Sequence, residues 1–203
     1  MTSAAPTGIS NTPPIADLKL DQDLGKYGIW LVITTETFLF ITLFFSYFYL
    51  GNGTYRWQVE MPPPLTLVLI LLGILLLRCI VLHFFREMLV KKQKYRGARA
   101  GIAATVVLGL IFLGLEGFGF RQSWSNITPT TDSYGSIFYI IQFFHAAHVI
   151  AGLLMLTYVL FLPLGHTERT PYRPLHSAAL YWHFVDVVWV FVVSVLFVLP
   201  NLR

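Results

Sequence analysis

Apolar residues run along this chain in five long blocks, each close to the roughly 20 residues that a helix needs to cross the hydrocarbon of a bilayer. The blocks fall at Gly28–Leu50, Leu65–Phe85, Ala98–Phe120, Gly135–Leu164 and Ser177–Leu199. Gly51-Asn52-Gly53 and Met61-Pro62-Pro63-Pro64 bracket one break, and Pro171 with Pro174 shape another. Strands of a barrel would alternate apolar and polar positions, which these blocks do not. The pattern predicts an all-α, polytopic membrane protein: a bundle of five transmembrane helices in one domain over 27–203. Residues 1–26 carry Pro6, Pro13 and Pro14 among small and polar side chains and lack the signature of a signal peptide, so they read as a flexible or surface-lying tail.

Orientation follows from the basic residues between the blocks. Lys19, Lys26, Arg86, Lys91, Lys92, Lys94, Arg96, Arg99, Arg169 and Arg173 lie on one side, and Arg56, Arg121 and Arg203 on the other. The excess places the N-terminus in the cytoplasm and the C-terminus on the opposite side. Composition agrees: of 203 residues 56% are hydrophobic and 12% charged, against about 25% charged in soluble proteins. The net charge of +4 comes from basic residues at the ends of apolar blocks, without interleaved aromatics, which argues against nucleic-acid binding. Cys79 is the sole cysteine, so neither an intrachain disulfide nor a thiolate cluster can form.

Ionisable groups within the blocks are the candidates for function, because a charge at the bilayer centre costs roughly 2.5 to 3.5 kcal/mol on insertion scales. Glu36 lies about eight residues, or 12 Å, into the first helix from the cytoplasmic side. Arg78 is at a similar depth in the second, and His183 and Asp186 in the fifth, so all four are expected to meet in one layer. Glu116 lies near the external end of the third helix, and His145 and His148 in the outer half of the fourth. The i, i+3 spacing puts each of the pairs His145/His148 and His183/Asp186 on one helix face, turned toward protein.

These residues include every ligand type that iron or zinc would need. The depth difference between His145 and His183 speaks against one cluster, and interhelical hydrogen bonds and ion pairs are the favoured reading; no metal is assigned. Glu36 is also a candidate proton carrier, with neutralisation by Arg78 as the open alternative. Thr34, Thr35, Ser46, Gln142 and Thr157 offer further interhelical hydrogen bonds, and Gly109, Gly114, Gly117 and Gly119 allow a close neighbour on the third helix. Trp30, Tyr47, Tyr49, Tyr55, Trp57, Trp124, Tyr139, Tyr181 and Trp182 read as anchors at headgroup level, and Phe143, Phe144, Phe184 and Phe191 as packing or lipid-facing groups. Phosphate loops and nucleophile elbows are absent, so hydrolytic chemistry has no support.

Four segments resemble a known family: Glu36 followed by Phe38, Phe40 and Tyr47; Asp132-Ser133-Tyr134-Gly135-Ser136-Ile137-Phe138; Phe144-His145-Ala146-Ala147-His148-Val149-Ile150-Ala151-Gly152; and Tyr181-Trp182-His183-Phe184-Val185-Asp186-Val187-Val188-Trp189. Over about residues 27 to 199 the chain resembles subunit III of the haem-copper terminal oxidases, in the five-helix form found in bacteria. The resemblance implies a non-redox subunit of a proton-pumping cytochrome c oxidase in a bacterial inner membrane, its C-terminus periplasmic. It would pack mainly on subunit I, with subunit II and other respiratory subunits nearby. It implies that haem and copper reside in those partners, that this chain carries no catalytic centre, and that structural phospholipid is held between helix groups. It makes Glu36 the carbodiimide-reactive membrane glutamate, and His145, His148, His183 and Asp186 the family's paired buried groups. Ala146, Leu180 and His176 depart from the usual residues at or near their positions. Within the family the alternatives are a quinol oxidase subunit III or a nitric-oxide-reductase-associated homologue. From other classes, a self-standing membrane metalloenzyme and a proton-linked transporter stay open.

Overall fold

The computed structural model describes residues 15–53, 65–92, 95–124, 128–130, 133–162 and 172–201. They form α1 (Ile15–Gly53), α2 (Leu65–Lys92), α3 (Tyr95–Ser123), α4 (Ser133–Phe161) and α5 (Tyr172–Val193), and α5 continues through a π-helical turn, Ser194–Val198, into the short α6 (Leu199–Asn201). No strand occurs among the described residues. Four segments are long and apolar enough to cross a membrane: Tyr27–Asn52, Arg99–Ser123, Ser133–Phe161 and Pro174–Val198. The apolar stretch of α2, Thr66–Val81, is shorter.

Helix ends depart from the sequence expectation. α1 begins at Ile15, so the second half of the expected tail is helical; after Pro14 no proline interrupts the chain before Pro62. Gly51-Asn52-Gly53 stays inside α1, because a glycine costs only about 1 kcal/mol against alanine and does not by itself end a helix. Pro174 lies in the first turn of α5, where a missing N–H leaves no bond unmade, so it belongs to the helix rather than to the break before it. The π-turn ends two residues before Pro200, whose ring would crowd the carbonyl of Leu196, and the wider turn relieves the ladder there, with the Leu199 N–H bonding to Ser194 O.

Neighbouring helices pack in the order α2, α3, α4, α5, while α5 also meets α1 and α2, and α1 meets α4. Within their spanning windows 56% of α5 is buried but 6% of α1, so α5 is the central helix and α1 the peripheral one. Lipid is as apolar as leucine, so close packing and polar contacts must hold such a bundle. Gly152 lies under the Trp182 ring, where an added Cβ would come within 3.0 Å, and Gly109 faces Leu153 and Trp182. Gly119 faces Leu67, whereas Gly114 and Gly117 have no neighbour within 4 Å, so two of the four expected contact glycines on α3 serve that purpose. Tyr47, Tyr139, Tyr181 and Trp182, expected at headgroup level, are core residues: Tyr47 meets Tyr134, Tyr139 meets Phe120, and Trp182 lies beneath Arg78. Trp30, Tyr49 and Trp124 are exposed, as headgroup anchors would be, and so are Phe143 and Phe191. Tyr55 and Trp57 lie outside the described residues.

The hydroxyls of Thr34, Thr35 and Ser46 bond back to carbonyls of their own helix, at Trp30, at Leu31 and Val32, and at Thr42. They satisfy themselves locally instead of joining helices, the usual alternative for short hydroxylated side chains. Arg99 donates from α3 to the Leu160 carbonyl at 3.1 Å, capping a carbonyl in the last turn of α4. Of the basic residues that set the orientation, Arg99 and Arg121 are described as side chains; the rest lie outside the described side chains.

Candidate functional site

The ionisable residues fall into three groups. In the first, Arg78 from α2 donates through Nη2 to Asp186 Oδ1 on α5, both buried. The guanidinium lies 4.0 Å from the centroid of the Trp182 ring and 5.7 Å from that of Phe112, so aromatic faces supply a second source of attraction. A buried arginine without a counter-charge would be severely disfavoured, and Asp186 meets that need. Next to the pair, Cys79 Sγ lies 3.6 Å from His183 Nδ1. Ligand atoms of Cys79, His183 and Asp186 lie within 4.8 Å of one another, the arrangement that comes nearest to a metal site among the described residues. Its donor chemistry does not suit a dication, because the Asp186 carboxylate is engaged by Arg78 and an ion there would face a fixed positive charge.

In the second group, His148 Nε2 on α4 lies 2.9 Å from Glu36 Oε2 on α1, and its Nδ1 lies 2.6 Å from the Phe144 carbonyl. A carbonyl only accepts, so Nδ1 carries a proton, and one further proton lies between Nε2 and the Glu36 carboxyl. The Phe40 ring meets the imidazole edge-on at 5.1 Å. The Glu36 side chain is 30% exposed, at the rim of the bundle.

The single layer expected for Glu36, Arg78, His183 and Asp186 therefore separates into two pairs. Glu36 is held by His148, not by Arg78, and Arg78 takes Asp186. The depth offset expected between Glu36 and His148 is absent, since α1 and α4 lie with these residues level. His145 and His148 do not share a neighbour either. His145 is buried, stacked on Trp189 with ring centroids 4.7 Å apart and edge-on to Phe112, with no hydrogen-bond partner on either nitrogen among the described residues. Three residues on an α-helix span about 300°, so two such side chains diverge by roughly 60° and reach different helices.

The third group is Glu116 alone. It is 4% exposed, and neither carboxyl oxygen has a hydrogen-bond partner among the described residues. Gln142 and Trp189 line a small cavity beside it. Sequence reasoning missed the parts played by Phe112, Trp182 and Trp189 around the charged pairs; the seven-residue spacing of the two tryptophans, which aligns them on one face of α5, was the available signal.

These features define a multi-pass helical membrane protein in which two ionisable pairs, Arg78 with Asp186 and Glu36 with His148, join neighbouring helices. The family model for Cytochrome c oxidase subunit III matches residues 19–199, and the chain belongs to that family. "Cytochrome c oxidase subunit 3" of Synechocystis sp. is 32% identical over 184 residues, covering 89% of this chain and 76% of the relative. "Probable quinol oxidase subunit 3" of Staphylococcus epidermidis is 32% identical over 188 residues, covering 88% and 90%. The ostrich (Struthio camelus) "Cytochrome c oxidase subunit 3" is 30% identical over 175 residues, covering 82% and 66%. The family is a subunit of an oxidoreductase complex, the haem-copper oxidases, whose members here include cytochrome c and quinol forms.

Proposed function

We propose that the chain is the non-redox subunit III of a proton-pumping cytochrome c oxidase, and that it supports the stability of the complex and proton uptake while haem and copper reside in its partners. In this reading all five helices α1 to α5 span a bacterial inner membrane, with the N-terminus cytoplasmic and the C-terminus periplasmic. The chain packs chiefly on subunit I, with subunit II nearby, and holds structural phospholipid. Arg78 with Asp186, His183, His145, His148 and Glu116 act as buried packing groups, and Glu36 is the proton-related, carbodiimide-reactive carboxyl. The observation that supports this reading is that Arg78 pairs with Asp186 and Glu36 with His148, each pair joining two helices.

The test is purification from native membranes in mild detergent. The chain should travel with a haem-bearing partner, and its removal should leave the haem spectra unchanged. An isolated chain that retained stoichiometric iron, copper or zinc and lost it in His145→Ala, or that oxidised a donor by itself, would overturn the reading. A quinol oxidase subunit III is the second reading, supported by the Staphylococcus epidermidis relative at the same 32% identity. Oxidation of reduced cytochrome c against oxidation of a quinol by the intact complex decides between the two.

A further inference from the structure

Three carboxyls lie among the described side chains, and two have partners: Glu36, at the rim, on His148 and the buried Asp186 on Arg78. Glu116 has none among the described residues, although it is buried more deeply than either. An ionised carboxylate in such a place is disfavoured far more than a neutral polar group, because nothing compensates the loss of its hydration. The group that satisfies the site is the uncharged acid, with one O–H donor and a carbonyl acceptor.

Glu116 borders a cavity of about 20 Å³. That exceeds the roughly 10 to 15 Å³ which one water molecule requires, and such a water needs two to four polar partners. Gln142 lines the cavity and carries an amide, and Trp189 lines it too, its indole N–H having no protein acceptor among the described residues. Together with the carboxyl they provide three. Gln122 and Ser123, at the C-terminal end of α3, also line it. Ser123 is seven positions from Glu116, about 10 Å along the helix at 1.5 Å per residue, so the cavity has polar residues at the acid and again at the helix end, with Gly119 between them.

We propose that Glu116, as a neutral carboxylic acid, holds one water molecule in this cavity with Gln142 and Trp189, and that acid and water form a proton-exchanging site separate from Glu36. In each exchange the acid passes its O–H proton to the water oxygen while the water returns one of its own to the other carboxyl oxygen, so no charge separates. The water leaves and enters at the Gln122 and Ser123 end.

Infrared spectroscopy of the full chain in its native complex tests this. At neutral pH the wild type should show the carbonyl stretch of a protonated carboxylic acid that Glu116→Gln abolishes and Glu36→Gln does not. The stretch should shift to lower frequency when H2O is replaced by D2O. Gln142→Leu should keep the band and slow the deuterium shift about fivefold, the factor that losing one ordinary hydrogen bond of about 1 kcal/mol implies. A spectrum without any band that responds to Glu116→Gln would overturn the proposal, as would a band that D2O leaves in place or one whose shift is as fast in Gln142→Leu. If Glu116→Gln does not assemble, Glu116→Asp retains the acid and should move the band; an unmoved band counts equally against the proposal.

Discussion

Separating Arg78 from Asp186 should be the most damaging single change in the bundle, and the two partners should not be equivalent. In Asp186→Leu the guanidinium remains in a site where Arg78 is 2% exposed, and it cannot shed its proton. Breaking a buried pair in this way costs roughly 3 to 5 kcal/mol in soluble proteins. The stacking of Arg78 on Trp182 survives in that variant and offsets part of the loss. Arg78→Met loses that stacking, worth about 0.5 to 2 kcal/mol, but the carboxyl it strands can take up a proton and become neutral. Its net cost should be the smaller, near 2 kcal/mol by the same reasoning. The double variant Arg78→Met/Asp186→Leu replaces the pair with apolar groups of similar volume and should return to within about 1 kcal/mol of the wild type. Reversible unfolding of the chain in mixed micelles, followed by tryptophan fluorescence across a detergent titration, measures all three and gives the coupling energy as the difference between the double and the summed singles. The reasoning fails if Asp186→Leu costs under about 1 kcal/mol, or if the double variant equals the sum of the singles.

Packing at the glycines gives an internal contrast. Gly152→Ala should destabilise by about 1 to 3 kcal/mol, because its Cβ would press on Trp182, while Gly114→Ala, with open space around it, should gain up to about 1 kcal/mol of helix propensity; equal effects in the same assay would contradict the contact. A hydrophobic carbodiimide should label Glu36 at the rim of the bundle and lower proton pumping more than O2 reduction, read by mass spectrometry and by pumping assays in vesicles; equal loss of both, or an unlabelled Glu36, would count against its proton-related role. His183→Ala should remove the contact with Cys79 and loosen association with subunit I in detergent while the haem spectra stay as they are; unchanged association would refute that packing role.

Length and apolarity made the helices legible in the sequence, and α1 through α5 lie where the five blocks do. The polar partners were harder to read. Depth along a helix orders residues only to within several ångströms, and helices shift past one another to make good packing, so the level of Glu36 with His148 was hidden. A similar ambiguity attaches to aromatic residues near a segment end: Trp30 and Trp182 both lie there in sequence, yet one faces outward and the other supports a buried arginine. What separates them is the identity of the facing residue on another helix, Gly152 in the case of Trp182, and a linear pattern does not contain that pairing.

The tryptophans of α5 link the surroundings of Asp186 and Glu116. Trp182 lies under Arg78, and two turns on, Trp189 covers His145, meets Phe112 edge-on at 5.2 Å and lines the cavity beside Glu116. Arg78 in turn lies over Phe112, so a continuous aromatic layer fills the space around its guanidinium. The guanidinium pairs with Asp186, and the imidazole of His145 is stacked on Trp189 and edge-on to Phe112. Glu116 is left to satisfy its carboxyl without a cation. The run from Tyr181 to Trp189 thus packs aromatic rings around the buried polar groups, Trp182 on Arg78 and Trp189 on His145, while its Asp186 supplies the partner of Arg78.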